Sequence, residues 1–213
     1  GQAKNLTKQQ LIDVFGEYDG VLTMMTDKIS EEIIAASSGK LKIIANYAVG
    51  VDNIDVLAAK HRGIVVTNTP AVASESVAEH TFALILALKK RLLEADRFVR
   101  LGKYGQWDPM MFLSNQLWGM TIGIIGLGRI GTHVGYIAAN GYKMKILYHD
   151  IVRSEDFEML TEARAVTFTH LLKETDVVTL HVPLTLATVH LIGKKELKLM
   201  KNTAILINTS RGA

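Results

Sequence analysis

The most explicit chemistry in this 213-residue chain lies in a short glycine-rich turn, Gly126-Leu127-Gly128-Arg129-Ile130-Gly131. It follows a strand-like run, Thr121 to Ile125, and opens a helical pattern. In a G-x-G-x-x-G turn the first glycine permits the tight bend. The second lets the backbone approach a pyrophosphate, and the third lets helix and strand pack closely. The phosphates then rest on the helix N-terminus, where unpaired N–H groups and the helix dipole favour anions. The motif alone is weak evidence, and the strand before it and the helix after it supply the context it needs. A second strand-like run ends at Asp150, 19 residues beyond Gly131. A carboxylate there accepts hydrogen bonds from an adenosine ribose diol and repels the extra phosphate of NADP, so NAD is the expected cofactor. Arg153 lies close by and softens that preference. The plain alternative is a close-packed turn at Gly126 to Gly131 and a strand-end residue at Asp150.

In an open parallel sheet, ligands bind outside the carboxyl ends of the strands. Three further strand ends carry suggestive residues. His181-Val182-Pro183-Leu184 ends one run, with proline turning the chain out of the sheet. Asn208-Thr209-Ser210-Arg211-Gly212 ends another. Arg211 offers a planar, permanently charged fork suited to a carboxylate and an adjacent carbonyl. Tyr47-Ala48-Val49-Gly50-Val51-Asp52 follows a third run, where the Val49 and Gly50 N–H groups can face an anion. A simple turn is the equal alternative there. His181 is a candidate general acid on position alone. Glu79-His80 reads as packed helix. The seven histidines show no metal-ligand spacing, so no metal is expected.

Strand-length apolar runs alternate with helical patterns along the chain. That alternation predicts α/β architecture with parallel sheets covered by helices. In the first region, strands are expected at Gly20 to Met24, Leu41 to Ala48 and Gly63 to Asn68. Helices are expected at Glu31 to Ala36, capped by Ser30, and at Asn53 to His61. Ser76 and Glu79 read as a capping box opening one long helix to about Leu101. About 25 residues at 1.5 Å each would reach roughly 37 Å, which suits a helix bridging two domains. Residues 102–119 look irregular. The second series places strands at Thr121 to Ile125, Met144 to His149, Ala165 to Phe168, Asp176 to Val182 and Thr203 to Asn208. The expected division is a first domain over 1–72, an inter-domain helix over 73–103 and a dinucleotide-binding domain over 104–213.

Composition removes several classes. Hydrophobic residues are 48% and charged residues 21%, which excludes a disordered tail protein. No run approaches the roughly 18 apolar residues of a membrane span. Zero cysteines exclude a disulfide scaffold and thiolate metal sites, and a reducing cytoplasm is the expected setting. The net charge of +3 is scattered among both signs, which is a solvated surface rather than a nucleic-acid face.

Several motifs together resemble the D-isomer-specific 2-hydroxyacid dehydrogenase family. They are N-Y-A-V-G-V-D-N-I-D (46–55), G-I-V-V-T-N-T-P (63–70), S-V-A-E-H (76–80), G-M-T-I-G-I-I-G-L-G-R-I-G (119–131), H-V-P-L-T (181–185) and I-N-T-S-R-G (207–212). The resemblance implies a Rossmann coenzyme domain, a partial flavodoxin-like substrate domain and an active site in the cleft between them. It implies hydride transfer between a nicotinamide cofactor and a 2-keto acid, by a homodimer joined through the coenzyme domains. By position, Arg211 matches the arginine that binds the substrate carboxylate and keto oxygen. Val49 and Gly50 match the backbone carboxylate site, with Val49 also near the nicotinamide. Arg129 and Ile130 match the pyrophosphate contacts, and Asp150 the ribose acid. Val182, Pro183, Thr209 and Ser210 match the coenzyme cleft.

The loop Met24-Met25-Thr26-Asp27 resembles that of glyoxylate and hydroxypyruvate reductases, and it offers no arginine for a phosphate. Met110 and Met111 stand where those reductases often carry a second tryptophan after the one at Trp107. The family's glutamate–histidine acid–base pair lies downstream of N-T-S-R-G and has no match here. The expectation is therefore a chain cut short at both ends, without turnover on its own. Rival readings are a phosphoglycerate dehydrogenase, a formate dehydrogenase-like enzyme, or a non-enzymatic NAD-sensing protein of the corepressor kind.

Overall fold

The computed structural model describes residues 6–212, so expectations that touch residues 1–5 or Ala213, the outer limits of the two expected domains included, lie outside it. The chain divides into two compact units after Val72.

The first unit contains α1 (Lys8–Glu17), β1 (Gly20–Met24), α2 (Glu31–Ala35), β2 (Ile43–Tyr47), α3 (Val56–His61) and β3 (Val65–Thr67). Its three strands are parallel in the order β1-β2-β3, with Gly20 opposite Ile43 and Ile43 opposite Val65. Phe15, Ile29, Ile33, Ile34, Ile44 and Ala59 form its core. Strand side chains alternate between faces, and the other face leaves Leu22 72% and Val65 56% exposed. The helix α1 is an addition to the elements expected from the sequence, although its start signal is present. The Gln10 N–H donates to the Thr7 hydroxyl, and the Thr7 N–H donates to the Gln10 side chain, a reciprocal cap. The helix expected from Asn53 starts only at Val56, because the Asp55 carboxylate caps the Ala58 N–H at 2.9 Å.

The second unit begins with α4 (Ser74–Lys89) and α5 (Leu92–Arg100). These replace the single long helix expected over residues 76–101. The start is also corrected: Ala73 occupies the cap position, and Ser76 and Glu79 lie inside the helix. The break has a local cause and a tertiary one. Arg91 adopts a left-handed backbone with φ 54°, and its side chain pairs with Glu94 and lies over the Phe112 ring at 5.2 Å. The last residue of α4, Lys89, is buried and donates to the Thr203 carbonyl, which fastens the helix end to this unit. Ala78, Phe82 and Ile85 of α4 join the core, whereas α5 buries none of its residues.

Then follow β4 (Thr121–Ile125), α6 (Arg129–Tyr142), β5 (Lys145–His149), α7 (Glu155–Thr161), β6 (Arg164–Ala165), α8 (Phe168–Glu174), β7 (Val177–Leu180), α9 (Lys194–Leu197) and β8 (Ile205–Asn208). All pairings are parallel, in the order β6-β5-β4-β7-β8. That order places the topological switch between β4 and β7, as in a doubly wound nucleotide fold. The strand expected over Ala165 to Phe168 is only Arg164–Ala165, because the Thr167 hydroxyl caps His170 and starts α8 at Phe168. One sheet face packs Ile122, Ile124, Tyr148 and Val177 against α4 and α6 residues. The other packs Ile125, Val178 and Leu180 against Leu171 and Leu172 of α8.

Candidate functional site

Two glycines of the turn after β4 are enforced by close approach. Gly126 has φ +92°, and a Cβ there would lie 2.8 Å from the His181 backbone. A Cβ on Gly131 would stand 2.2 Å from the Gly126 carbonyl oxygen. Gly128, the cap residue of α6, has nothing within 4 Å of its Cβ position. The backbone beside it is therefore open, at the start of a 14-residue helix whose first N–H groups lack intrahelical acceptors. Arg129 and Ile130 supply two of those groups. An open backbone face and a helix N-terminus fit a pyrophosphate.

Asp150 fixes this turn. Its carboxylate accepts from the Leu127 N–H at 2.6 Å and from the Val152 N–H at 3.1 Å. A carboxylate has about four acceptor positions, so capacity remains for a ribose diol. Behind Asp150, the buried Tyr148 donates to Glu158 at 2.7 Å, and Glu158 pairs with Arg153 at 2.6 Å.

At the end of β7, His181 is half-buried. His181 donates its backbone N–H to Ile125, and its Nε2 lies 2.9 Å from the Thr179 hydroxyl. Its Nδ1 is buried with no protein partner. Burial pushes the imidazole pKa down to about 4. At neutral pH the imidazole is therefore held in its neutral form.

The end of β8 is organised by Asn208, whose importance the sequence reading missed. Its carbonyl oxygen accepts from the Ser210 N–H and hydroxyl at 2.9 and 2.8 Å. Its amide donates to the Arg211 carbonyl. An Asn followed by Thr-Ser is a side-chain-stabilised turn signal that would have flagged it. The Thr209 hydroxyl meets Thr81 of α4 at 3.1 Å. Arg211 donates to the Ser210 carbonyl at 3.1 Å. A cavity of about 130 Å³ brings Val182, Pro183, Ser210 and Arg211 together. It is smaller than a usual ligand pocket of about 300 Å³ or more.

The first unit presents Val49 and Gly50 after β2, on a turn pinned by side-chain amides. Asn46 donates to the Gly50 carbonyl at 2.8 Å and to Asn53 at 3.0 Å. It also accepts from Thr23 at 2.9 Å. Asn53 reaches on to the Met24 and Asp27 carbonyls at 3.1 Å each. Asn68 holds the Val49 carbonyl at 2.7 Å. Among the described residues, no acceptor takes the Val49 or Gly50 N–H. The second unit thus gathers Gly126, Gly128, Arg129, Ile130, Gly131, Asp150, Val182, Pro183, Thr209, Ser210 and Arg211 along the carboxyl ends of its strands. Val49 and Gly50 stand at the corresponding end of the first unit's sheet.

Strand order, glycine turn and terminal acid define the second unit as a doubly wound dinucleotide-binding domain. Residues 82–213 match the family model described as D-isomer specific 2-hydroxyacid dehydrogenase, NAD binding domain. The chain belongs to that family, and the matched domain is its NAD-binding one. The chain is 49% identical over 207 residues to a glyoxylate reductase of Korarchaeum cryptofilum, covering 97% of this chain and 62% of that protein. The TT0316 protein from Thermus thermophilus matches with a TM-score of 0.91 and 38% identity, over 99% of this chain and 66% of that one. A D-lactate dehydrogenase from Aquifex aeolicus, solved with NAD and lactic acid, matches with a TM-score of 0.87 and 38% identity, over 94% of this chain and 59% of that one. The chain therefore spans a little under two thirds of the length of these relatives.

Proposed function

We propose that the protein reduces a small 2-keto acid of the glyoxylate or hydroxypyruvate kind with NADH. The observation that carries the reading is the glycine turn locked to Asp150 through the Leu127 N–H. The likeness to a glyoxylate reductase supports the substrate class. So does the Met24-Met25 loop, where both side chains are about half exposed and no arginine is offered to a phosphate.

When bound, the nicotinamide would supply a hydride to the carbonyl carbon, and the oxygen would take its balancing proton from water. The chain's own residues bind and orient. The Arg129 and Ile130 N–H groups hold the pyrophosphate, and Asp150 accepts from the ribose hydroxyls. Val182, Pro183, Thr209 and Ser210 border the coenzyme. Arg211 holds the substrate carboxylate and polarises the keto oxygen, which stabilises the negative charge that develops there. The Val49 and Gly50 N–H groups are the first unit's candidate anion site, and the amides of Asn46 and Asn68 keep that turn rigid.

A homodimer through the second unit is supported by α5, which buries no residue and leaves Leu93 75% exposed, and by Trp107, also 75% exposed. Exposed apolar side chains of this kind suit an association face. A cytoplasmic setting supplies the NADH, and no described helix is long and apolar enough to cross a membrane.

The test is the loss of NADH absorbance when the whole encoded protein meets glyoxylate, hydroxypyruvate or pyruvate. Turnover of the first two is expected. A rate no higher than that without protein would overturn the reading. Sedimentation of parent and Trp107→Asp proteins tests the dimer, with a monomeric parent as the contrary result.

A further inference from the structure

Beside the expected ribose site stands an arginine that is tied down. Arg153 lies three residues after Asp150, in the turn whose Val152 N–H folds back onto the Asp150 carboxylate. An arginine so placed is the natural partner for a phosphate on the ribose 2′-oxygen. Here its guanidinium makes three contacts to one acceptor, Glu158. Nε lies 2.9 and 3.2 Å from the two carboxylate oxygens, and Nη2 lies 2.6 Å from one of them.

Glu158 is itself held. It projects from α7, its side chain is only 16% exposed, and it accepts the Tyr148 hydroxyl at 2.7 Å. Tyr148, in β5, is buried, and its hydroxyl oxygen also accepts the Ser154 N–H at 2.9 Å. A core side chain therefore fixes a carboxylate, the carboxylate fixes Arg153, and the backbone next to Arg153 is fastened to the same hydroxyl. The carboxylate stays charged throughout the physiological range, since its pKa is held at about 2, chiefly by the Arg153 bonds.

We propose that Glu158 is a specificity residue. By engaging both edges of its carboxylate with Arg153, it keeps the guanidinium from a 2′-phosphate and so enforces NAD over NADP. The inference rests on the nucleotide reading of Asp150 but goes beyond it. Asp150 repels the phosphate directly, whereas Glu158 removes the group that would offset that repulsion.

Equilibrium binding reads this without turnover, by calorimetric titration of ADP-ribose and 2′-phospho-ADP-ribose into parent, Glu158→Gln, Arg153→Ala and the double variant. Parent binding of ADP-ribose tests the nucleotide reading by itself. Glu158→Gln keeps a side chain that accepts from Tyr148 and loses the charge. It is expected to bind 2′-phospho-ADP-ribose about tenfold more tightly than parent, with ADP-ribose within about twofold. The gain should vanish in the double variant. Glu158→Asp retains the charge but not the reach, and serves if Glu158→Gln loses ADP-ribose binding. A smaller gain in the same direction is then expected. An unchanged affinity ratio, or a gain that survives Arg153→Ala, would overturn the proposal.

Discussion

Alanine at Gly128 and alanine at Gly131 add the same methyl group three residues apart, yet the geometry separates their effects. At Gly131 the new Cβ would stand 2.2 Å from the Gly126 carbonyl oxygen. Ordinary contact begins near 3.4 Å, so the start of α6 must move by about 1 Å. Overpacking of that kind costs about 1–3 kcal/mol. For a domain of this size that is a fall in melting temperature of about 2–12 °C. The same movement displaces the N–H groups that face the pyrophosphate, so NADH binding weakens as well. At Gly128 the backbone is φ −73°, ψ −169°, which any residue adopts, and the Cβ meets nothing within 4 Å. The melting temperature should stay within about 2 °C, since a surface change without contacts costs about 0.5 kcal/mol or less. The methyl group would, however, occupy the face that the pyrophosphate approaches. Losing one charge-assisted hydrogen bond there costs about 1.5–3 kcal/mol, or roughly tenfold to a hundredfold in affinity. Thermal melting without ligand and fluorescence titration with NADH measure the two quantities. The reasoning fails if Gly128→Ala binds NADH like the parent, or if Gly131→Ala melts with it.

Three further outcomes follow from particular contacts. Above about pH 6.5 His181 is neutral folded and unfolded; its folded pKa of about 4 makes stability fall as pH drops from 6.5 towards 4, by roughly 3 kcal/mol. His181→Gln should show a shallower loss of urea midpoint between about pH 7.5 and pH 4.5, and parallel slopes would count against that burial effect. Asp176 ties β7 to β4; burial works to raise its pKa, but bonds from the Thr121 N–H and Lys201 together lower it. Asp176→Ala strands that N–H and should destabilise by about 1–3 kcal/mol in denaturant titration, whereas a neutral result would contradict the tie. Asn46→Ala removes the clamp on the Val49–Gly50 turn. It should raise KM for the keto acid about tenfold while leaving the NADH dissociation constant unchanged, and the reverse pattern would move those residues out of the substrate site.

Much of this architecture is legible from local pattern. Thr121 to Ile125 is a strand, and it and the glycine turn beyond it fall where apolar run and spacing place them. The parts that escape depend on contacts distant in sequence. Helical periodicity continues across Lys90 and Arg91, and the bond from Lys89 to Thr203 is what marks the end of α4. The surroundings of His181 depend on its burial beside Gly126, a relation between two strand ends that spacing does not express. The chain of contacts from Tyr148 through Glu158 to Arg153 joins a strand, a turn and a helix, and it exists only once α7 is docked. By contrast α1 has a purely local signal, the reciprocal cap of Thr7 and Gln10.

The central claim is that the second unit binds NAD through the glycine turn and Asp150. Titrating NADH into the parent chain and into Asp150→Ala, followed by nicotinamide fluorescence, tests it most directly. The account predicts saturable binding at one site per chain, weakened at least about tenfold by the substitution. Equal NADH affinity in the two proteins, or no saturable binding by the parent, would contradict it.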